Sequence, residues 1–179
     1  MNRNRRVLYL AQGAVIAALY AVLTYVAAAL NLAYGPVQFR FSEALTVLPV
    51  FTPAAIPGLA IGCLLSNLMS PLGLVDWIFG TGATLLAAIS TYALRNVRVK
   101  NLPLLSLLPP AFFNALIIGW EVSCLSDAGT FSLLNFNPAA FWANALSVGI
   151  GELVVCCVLG LALIYTLQKS GAAKRIFRI

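Results

Sequence analysis

The sequence contains no histidine, which excludes a histidine general base and any histidine-ligated zinc site. Acids are scarce as well: five Asp and Glu stand against eleven Lys and Arg, and charged residues make up only 9% of the 179-residue chain. No GxxxxGK[ST] stretch occurs, so the chain has no phosphate-cradling loop with which to hydrolyse ATP. The four cysteines, Cys63, Cys124, Cys156 and Cys157, show no CxxC spacing and fall in or at the ends of apolar segments. They read as packing residues rather than as metal ligands or disulfide partners.

What is present is apolar surface. With 61% hydrophobic residues and a mean hydropathy of +0.95, the chain carries more than a soluble core of this size can absorb, and composition alone places it among integral membrane proteins. The length suits a single membrane domain, 1–179. Ten of the basic residues, Arg3, Arg5, Arg6, Arg95, Arg98, Lys100, Lys169, Lys174, Arg175 and Arg178, lie at the ends of apolar spans. Such clusters mark cytoplasmic flanks rather than a nucleic-acid surface.

Hydropathy and turn residues predict an all-α, six-helix transmembrane bundle with spans at about 7–30, 42–51, 53–69, 74–94, 104–124 and 138–168. The first span is too long for a signal-peptide apolar region, so it should remain in the mature protein. The second is short for a bilayer; it needs a locally thin membrane or a protein cover. Thr52-Pro53 and Asn137-Pro138 read as cap-plus-first-residue helix starts, and Ser42 as a cap beside Glu43. Six spans put all three basic clusters on one face, with both termini cytoplasmic. Arg40, Glu43, Asp76 and Asp127 then gather at the outer face, and the Asn31 to Phe41 loop, with Tyr34 and Arg40, is expected to act as an outward lid.

Ionisable groups within membrane spans usually face a cavity or a partner. Asn114 and Glu121 are seven residues apart and return to nearly one helical face; Asn144, Val148 and Glu152 descend another in steps of four. Both stripes can line one pocket open to the outside. Arg40, Glu43, Asp76, Asn67, Trp77 and Trp120 are further candidates. Each has a plainer reading as well: an interfacial charge or first-turn acid for Arg40 and Glu43, a local cap for Asn67, an interface-belt ring for Trp77 and Trp120, or polar glue between helices for the acids and amides. Carboxylates, amides and tryptophan faces together suit a flat nitrogen heterocycle with a guanine-like edge. On the first helix, Gly13, Ala14, Ala17, Ala18 and Ala21 recur at four-residue spacing, which permits close helix approach, within the bundle or to a partner.

The runs FRFSEALTVLPVFTPAAIPGLAIGCLLSNL, DWIFGTGATLLAA, NALIIGWE and GIGELVV resemble the queuosine-precursor transporter (QueT) family, the substrate-binding S-components of energy-coupling-factor (ECF) transporters. The likeness covers roughly Ala11 to Gly160. It implies a deazaguanine ligand whose amino and ring N–H groups are read by the acids. It also implies an AxxxA docking pattern on the first helix, best matched by Ala14 and Ala18. The implied partners are a transmembrane coupling subunit and two ATPase subunits that use the ATP, so this chain would need no cofactor and act as no enzyme. The competing classes are a self-sufficient small secondary transporter or channel for a nitrogen heterocycle, and an intramembrane enzyme using Glu121 and Glu152. No inverted repeat supports the first, and no activated nucleophile or metal cluster supports the second.

Overall fold

The computed structural model describes residues 3–33, 39–99, 102–126 and 129–177. Among these the protein is all-helical. Four helical stretches are long and apolar enough to cross a membrane: Arg3–Ala29, Leu74–Asn96, Leu104–Ser123 and Pro138–Lys169. Two shorter apolar helices, Phe41–Val50 and Ala55–Asn67, complete the bundle. In chain order, α1 is Arg3–Ala29, α2 Ala55–Asn67, α3 Leu74–Ala93, α4 Leu108–Ser123, α5 Pro138–Val155, α6 Leu161–Lys169 and α7 Ala172–Phe177.

The ten-residue segment Phe41–Val50, between α1 and α2, is a 3-10 helix. Runs of this kind rarely exceed four residues in water-exposed settings, because their hydrogen bonds are poorly aligned. Here Ser42 to Pro49 are all buried, and α1, α2, α3, α5 and α6 pack around them. Protein cover therefore supplies what the membrane cannot. The geometry also lengthens the segment: at about 2.0 Å per residue it extends roughly 20 Å, against about 15 Å for an α-helix of ten residues. Pro49 fits within it, and its missing N–H removes one bond from an already sparse ladder.

Helix ends follow local chemistry in two cases and depart from it in two. Asn31 adopts a left-handed φ of 58°, and the Leu32 N–H returns to the Ala27 carbonyl at 2.9 Å; this closes α1 as an αL residue should. Asn137 accepts from the Ala139 and Ala140 N–H groups at 3.0 and 3.2 Å and caps α5, with Pro138 as its first residue. Thr52 does not cap α2, which begins only at Ala55. Its hydroxyl accepts from Ala54 N–H at 3.3 Å and donates to Gln12 at 3.0 Å, so it holds the preceding turn against α1. Ser42 is not a cap either; its hydroxyl accepts from Thr24 at 2.7 Å, tying the 3-10 helix to α1.

Two helix crossings are close enough to require glycine. A Cβ at Gly62 would lie 2.7 Å from Tyr20 Cβ and 2.8 Å from the Ala17 carbonyl oxygen, so α1 and α2 touch backbone to backbone. At Gly119 a Cβ would meet Ala145 Cα at 2.8 Å, which does the same for α4 and α5. Ala17 and Ala21 are buried in the bundle, whereas Ala14 and Ala18 on the same helix are exposed. Residues Cys156–Gly160 widen the α5–α6 rod into a π turn. That turn packs on the 3-10 helix, so the two departures from α geometry lie against each other, one turn below Glu152.

Candidate functional site

The 3-10 helix carries Glu43 into the middle of the bundle, where the Tyr20 hydroxyl of α1 donates to one of its carboxylate oxygens. Directly below, Cys156 Sγ approaches the Glu43 carbonyl oxygen and the Thr46 hydroxyl, each at 3.8 Å. Across the bundle, Asn114 of α4 donates through Nδ2 to Glu152 Oε1 of α5 at 2.9 Å.

Carboxylates at such depth should have their lone pairs filled, since an unmet buried acceptor costs about 1–3 kcal/mol and a charged one more. These do not. Glu121 is 0% exposed and neither carboxylate oxygen has a hydrogen-bond partner; Glu152 is 3% exposed and its Oε2 is unmet, as is Oε2 of Glu43. Four acceptor positions from three helices are buried and unfilled. Trp120, beside Glu121, stands edge-on to Phe79 of α3 at 5.2 Å and to Phe131 at 6.0 Å, forming a cluster of three rings at this end of α3 and α4. Flat rings and free acceptors are what a donor-rich planar ligand requires.

A second network fixes the α2–α3 turn. Asn67 Nδ2 donates to the Asp76 carbonyl at 2.9 Å, Trp77 Nε1 donates to the Asn67 carbonyl at 2.8 Å, and the Ser70 hydroxyl donates to the Asp76 carboxylate. Arg40 Nη2 lies 3.8 Å from the same carboxylate, and Arg40 Nε donates to the Ala33 carbonyl at 3.1 Å. Arg40 and Asp76, both buried, therefore clamp the foot of the 31–41 loop onto the start of α3. Phe39 N–H closes the same foot by donating to the Leu32 carbonyl at 2.9 Å. Tyr34 and Gly35-Pro36, the expected lid tip, lie outside the described residues, as does Asp127.

Of the residues singled out from sequence, Asn114, Glu152 and Glu43 sit in the first network, and Glu121 is buried on α4 with neither carboxylate oxygen hydrogen-bonded. Arg40, Asp76, Trp77 and Asn67 sit in the second, where the Trp77 indole and the Asn67 amide nitrogen are spent on the turn, while the Asn67 Oδ1 is buried without a hydrogen-bond partner. Asn144 is half-buried on α5 and joins neither network. Tyr20, Phe79 and Phe131 were not among the candidates. Each is a lone aromatic in an apolar stretch, a pattern that core packing produces equally well. Among the described residues no three His, Cys, Asp or Glu side chains group as a metal site.

The family model described as QueT transporter matches residues 10–169. A curated protein of Lactococcus lactis subsp. cremoris (strain MG1363), named queuosine precursor transporter QueT, is 42% identical over 72 residues, which is 40% of this chain and 42% of that protein. The alignment thus spans less than half of that relative. No solved structure matches. With the family model spanning nearly the whole helical bundle, this chain belongs to the QueT transporter family.

Proposed function

We propose that this chain is the substrate-binding membrane subunit of an ECF-type transporter in the cell membrane. It captures a queuosine precursor, a deazaguanine base, from outside and delivers it inward when docked on a coupling subunit driven by two ATPase subunits. The observation that carries this reading is the set of buried, unmet carboxylate oxygens on Glu43, Glu121 and Glu152. The guanine-like edge of such a base presents a ring N–H and an exocyclic amine, donors that a carboxylate accepts in pairs. Asn114, held against Glu152, adds an amide, and Trp120 adds a stacking face; Asn144 lies one turn above Val148 on the wall that carries Glu152.

The proposed topology is six spans with both termini cytoplasmic. A typical hydrocarbon core is about 30 Å thick; the 3-10 helix and the 13-residue α2 reach about 20 Å each. The burial of the 3-10 helix supports counting it as a span, because irregular backbone at membrane depth is tolerated inside protein. Basic residues at both chain ends and at Arg95 and Arg98 support the orientation.

For docking, Ala14 and Ala18 remain the exposed small pair. Ala14 lines a groove of about 370 Å³ between α1 and α2 together with Gly13, Ala17, Pro57 and Ile61, which supports close approach of a partner helix there; Ala18 is exposed but lies outside that lining. Ala17 and Ala21, buried against the bundle, serve internal packing. The test is uptake of a labelled deazaguanine base by cells expressing this chain alone or with a coupling subunit and its ATPases. Uptake only with the full set is expected. Equal uptake by the chain alone would make it a self-sufficient transporter.

A further inference from the structure

A cleft of about 400 Å³ runs between α1 and the chain's last helices, with none of the buried acids in its lining. One wall is a stripe of α1 from Leu8 through Val15 to Leu19, the floor is Leu45 and Leu48 of the 3-10 helix, and the far wall is Leu163 and Leu167. The stripe covers twelve residues, about 16 Å along the helix axis. Gln12 is the one polar residue in the lining, and its side chain is already used: it accepts from Thr52 at 3.0 Å and donates to the Ile176 carbonyl at 2.8 Å. The cleft is therefore an apolar channel with no polar group left to offer.

One end of this channel is built by α7. The Gln12–Ile176 hydrogen bond and the stacking of Phe177 on Phe51, ring centres 5.9 Å apart, pin that helix across the cleft and make Ile176 and Phe177 part of its lining. Lys174 and Arg175, both exposed, directly precede the lining residues Ile176 and Phe177, so chain adjacency sets them at this end of the cleft. Arg5, also exposed, lies three residues before Leu8, so helical spacing puts it on the lining stripe, one turn beyond the apolar end. No Asp or Glu lies between residues 1 and 42 or after Glu152, so both segments carry side chains of positive charge alone.

An apolar channel ending in a cationic mouth matches one kind of molecule, with a hydrocarbon chain and a negatively charged head. We propose that this cleft binds an anionic phospholipid, with one acyl chain along Leu8 to Leu19 and the phosphate headgroup at Arg5, Lys174 and Arg175. A zwitterionic lipid would fill the channel equally well but gain little at the mouth, since surface Lys and Arg attract an anionic headgroup and not a neutral one.

The experiment is native mass spectrometry of the full chain in mild detergent. The protein is offered equal amounts of phosphatidylglycerol and phosphatidylcholine with identical acyl chains. Retention of phosphatidylglycerol should exceed that of phosphatidylcholine by at least about tenfold. Replacing the three exposed cations together, Arg5→Gln, Lys174→Gln and Arg175→Gln, should bring the ratio near one; Val15→Trp, which fills the channel from an exposed position, should reduce retention of both. Equal retention by the wild type, or a preference that survives the triple replacement, overturns the proposal. So does a Val15→Trp protein that keeps its lipid but no longer associates with a coupling subunit, which would make the cleft a protein interface.

Discussion

The Asn114 amide donates to one carboxylate oxygen of Glu152 across the α4–α5 crossing at 2.9 Å, while the other oxygen of that carboxylate is buried without a partner. The pair is half satisfied by the protein, and in the proposed function the ligand satisfies the rest. If both residues meet the ligand as a unit, their effects on its affinity cannot add. A double-mutant cycle with Asn114→Leu and Glu152→Gln should give an interaction energy of about 1 kcal/mol or more in binding of a deazaguanine base. Strict additivity would separate the two residues and leave Asn114 as interhelical glue.

Tyr20 supplies the hydrogen bond that Glu43 receives. Tyr20→Phe keeps the ring and its packing but leaves both Glu43 oxygens unmet in a buried position, at a cost of about 1–3 kcal/mol. Thermal unfolding in detergent should shift down by several degrees. An unchanged midpoint would mean that Glu43 is satisfied without Tyr20.

The Gly119 contact makes a sharper stability prediction. Gly119→Ala places a methyl 2.8 Å from Ala145 Cα, where backbone rather than a flexible side chain must give way. Overpacking of this kind costs about 1–3 kcal/mol, or roughly 5 °C in midpoint for a chain of this size. Because α4 and α5 carry Asn114 and Glu152, ligand affinity should fall with it. A midpoint equal to wild type would show that the two helices can separate freely.

Helix α1 carries two interleaved small-residue patterns with opposite expected behaviour. Ala17→Trp pushes into the α2 backbone near Gly62 and should destabilise the isolated protein. Ala14→Trp points into the exposed groove instead; it should leave folding and ligand affinity near wild type while blocking complex formation with the coupling subunit. Ala14→Trp protein that assembles normally would move the docking surface off this helix.

Apolar run length located the four membrane-length helical stretches to within a few residues, because a membrane helix must supply a fixed length of hydrocarbon contact and few other signals compete; the short α7 carries no such run and was not legible. The identity of the 3-10 segment was not legible. Its sequence is as apolar as its neighbours, and the geometry is selected by five surrounding helices rather than by local propensity. Thr52 and Ser42 misled for a related reason: each hydroxyl is spent on α1, through Gln12 and Thr24, instead of on its own helix. Four-residue spacing could not separate Ala14 and Ala18 from Ala17 and Ala21; only the position of α2 does. Asn114, Glu121 and Glu152 were legible as buried polar groups, since such groups stand out against hydrocarbon, whereas Asn144 is only half-buried and joins neither network, and Tyr20, Phe79 and Phe131 did not stand out.

The central claim is that buried carboxylates receive a donor-rich heterocycle. The most direct measurement is isothermal titration of a deazaguanine base into the purified wild-type chain and its Glu121→Gln and Glu152→Gln variants, each checked for an unaltered unfolding midpoint. Each replacement exchanges a charged acceptor for a neutral amide, and the loss of one charge-assisted hydrogen bond is worth about 1.5–3 kcal/mol, so affinity should fall roughly ten- to hundredfold in each. Binding by both folded variants with wild-type affinity would contradict the account.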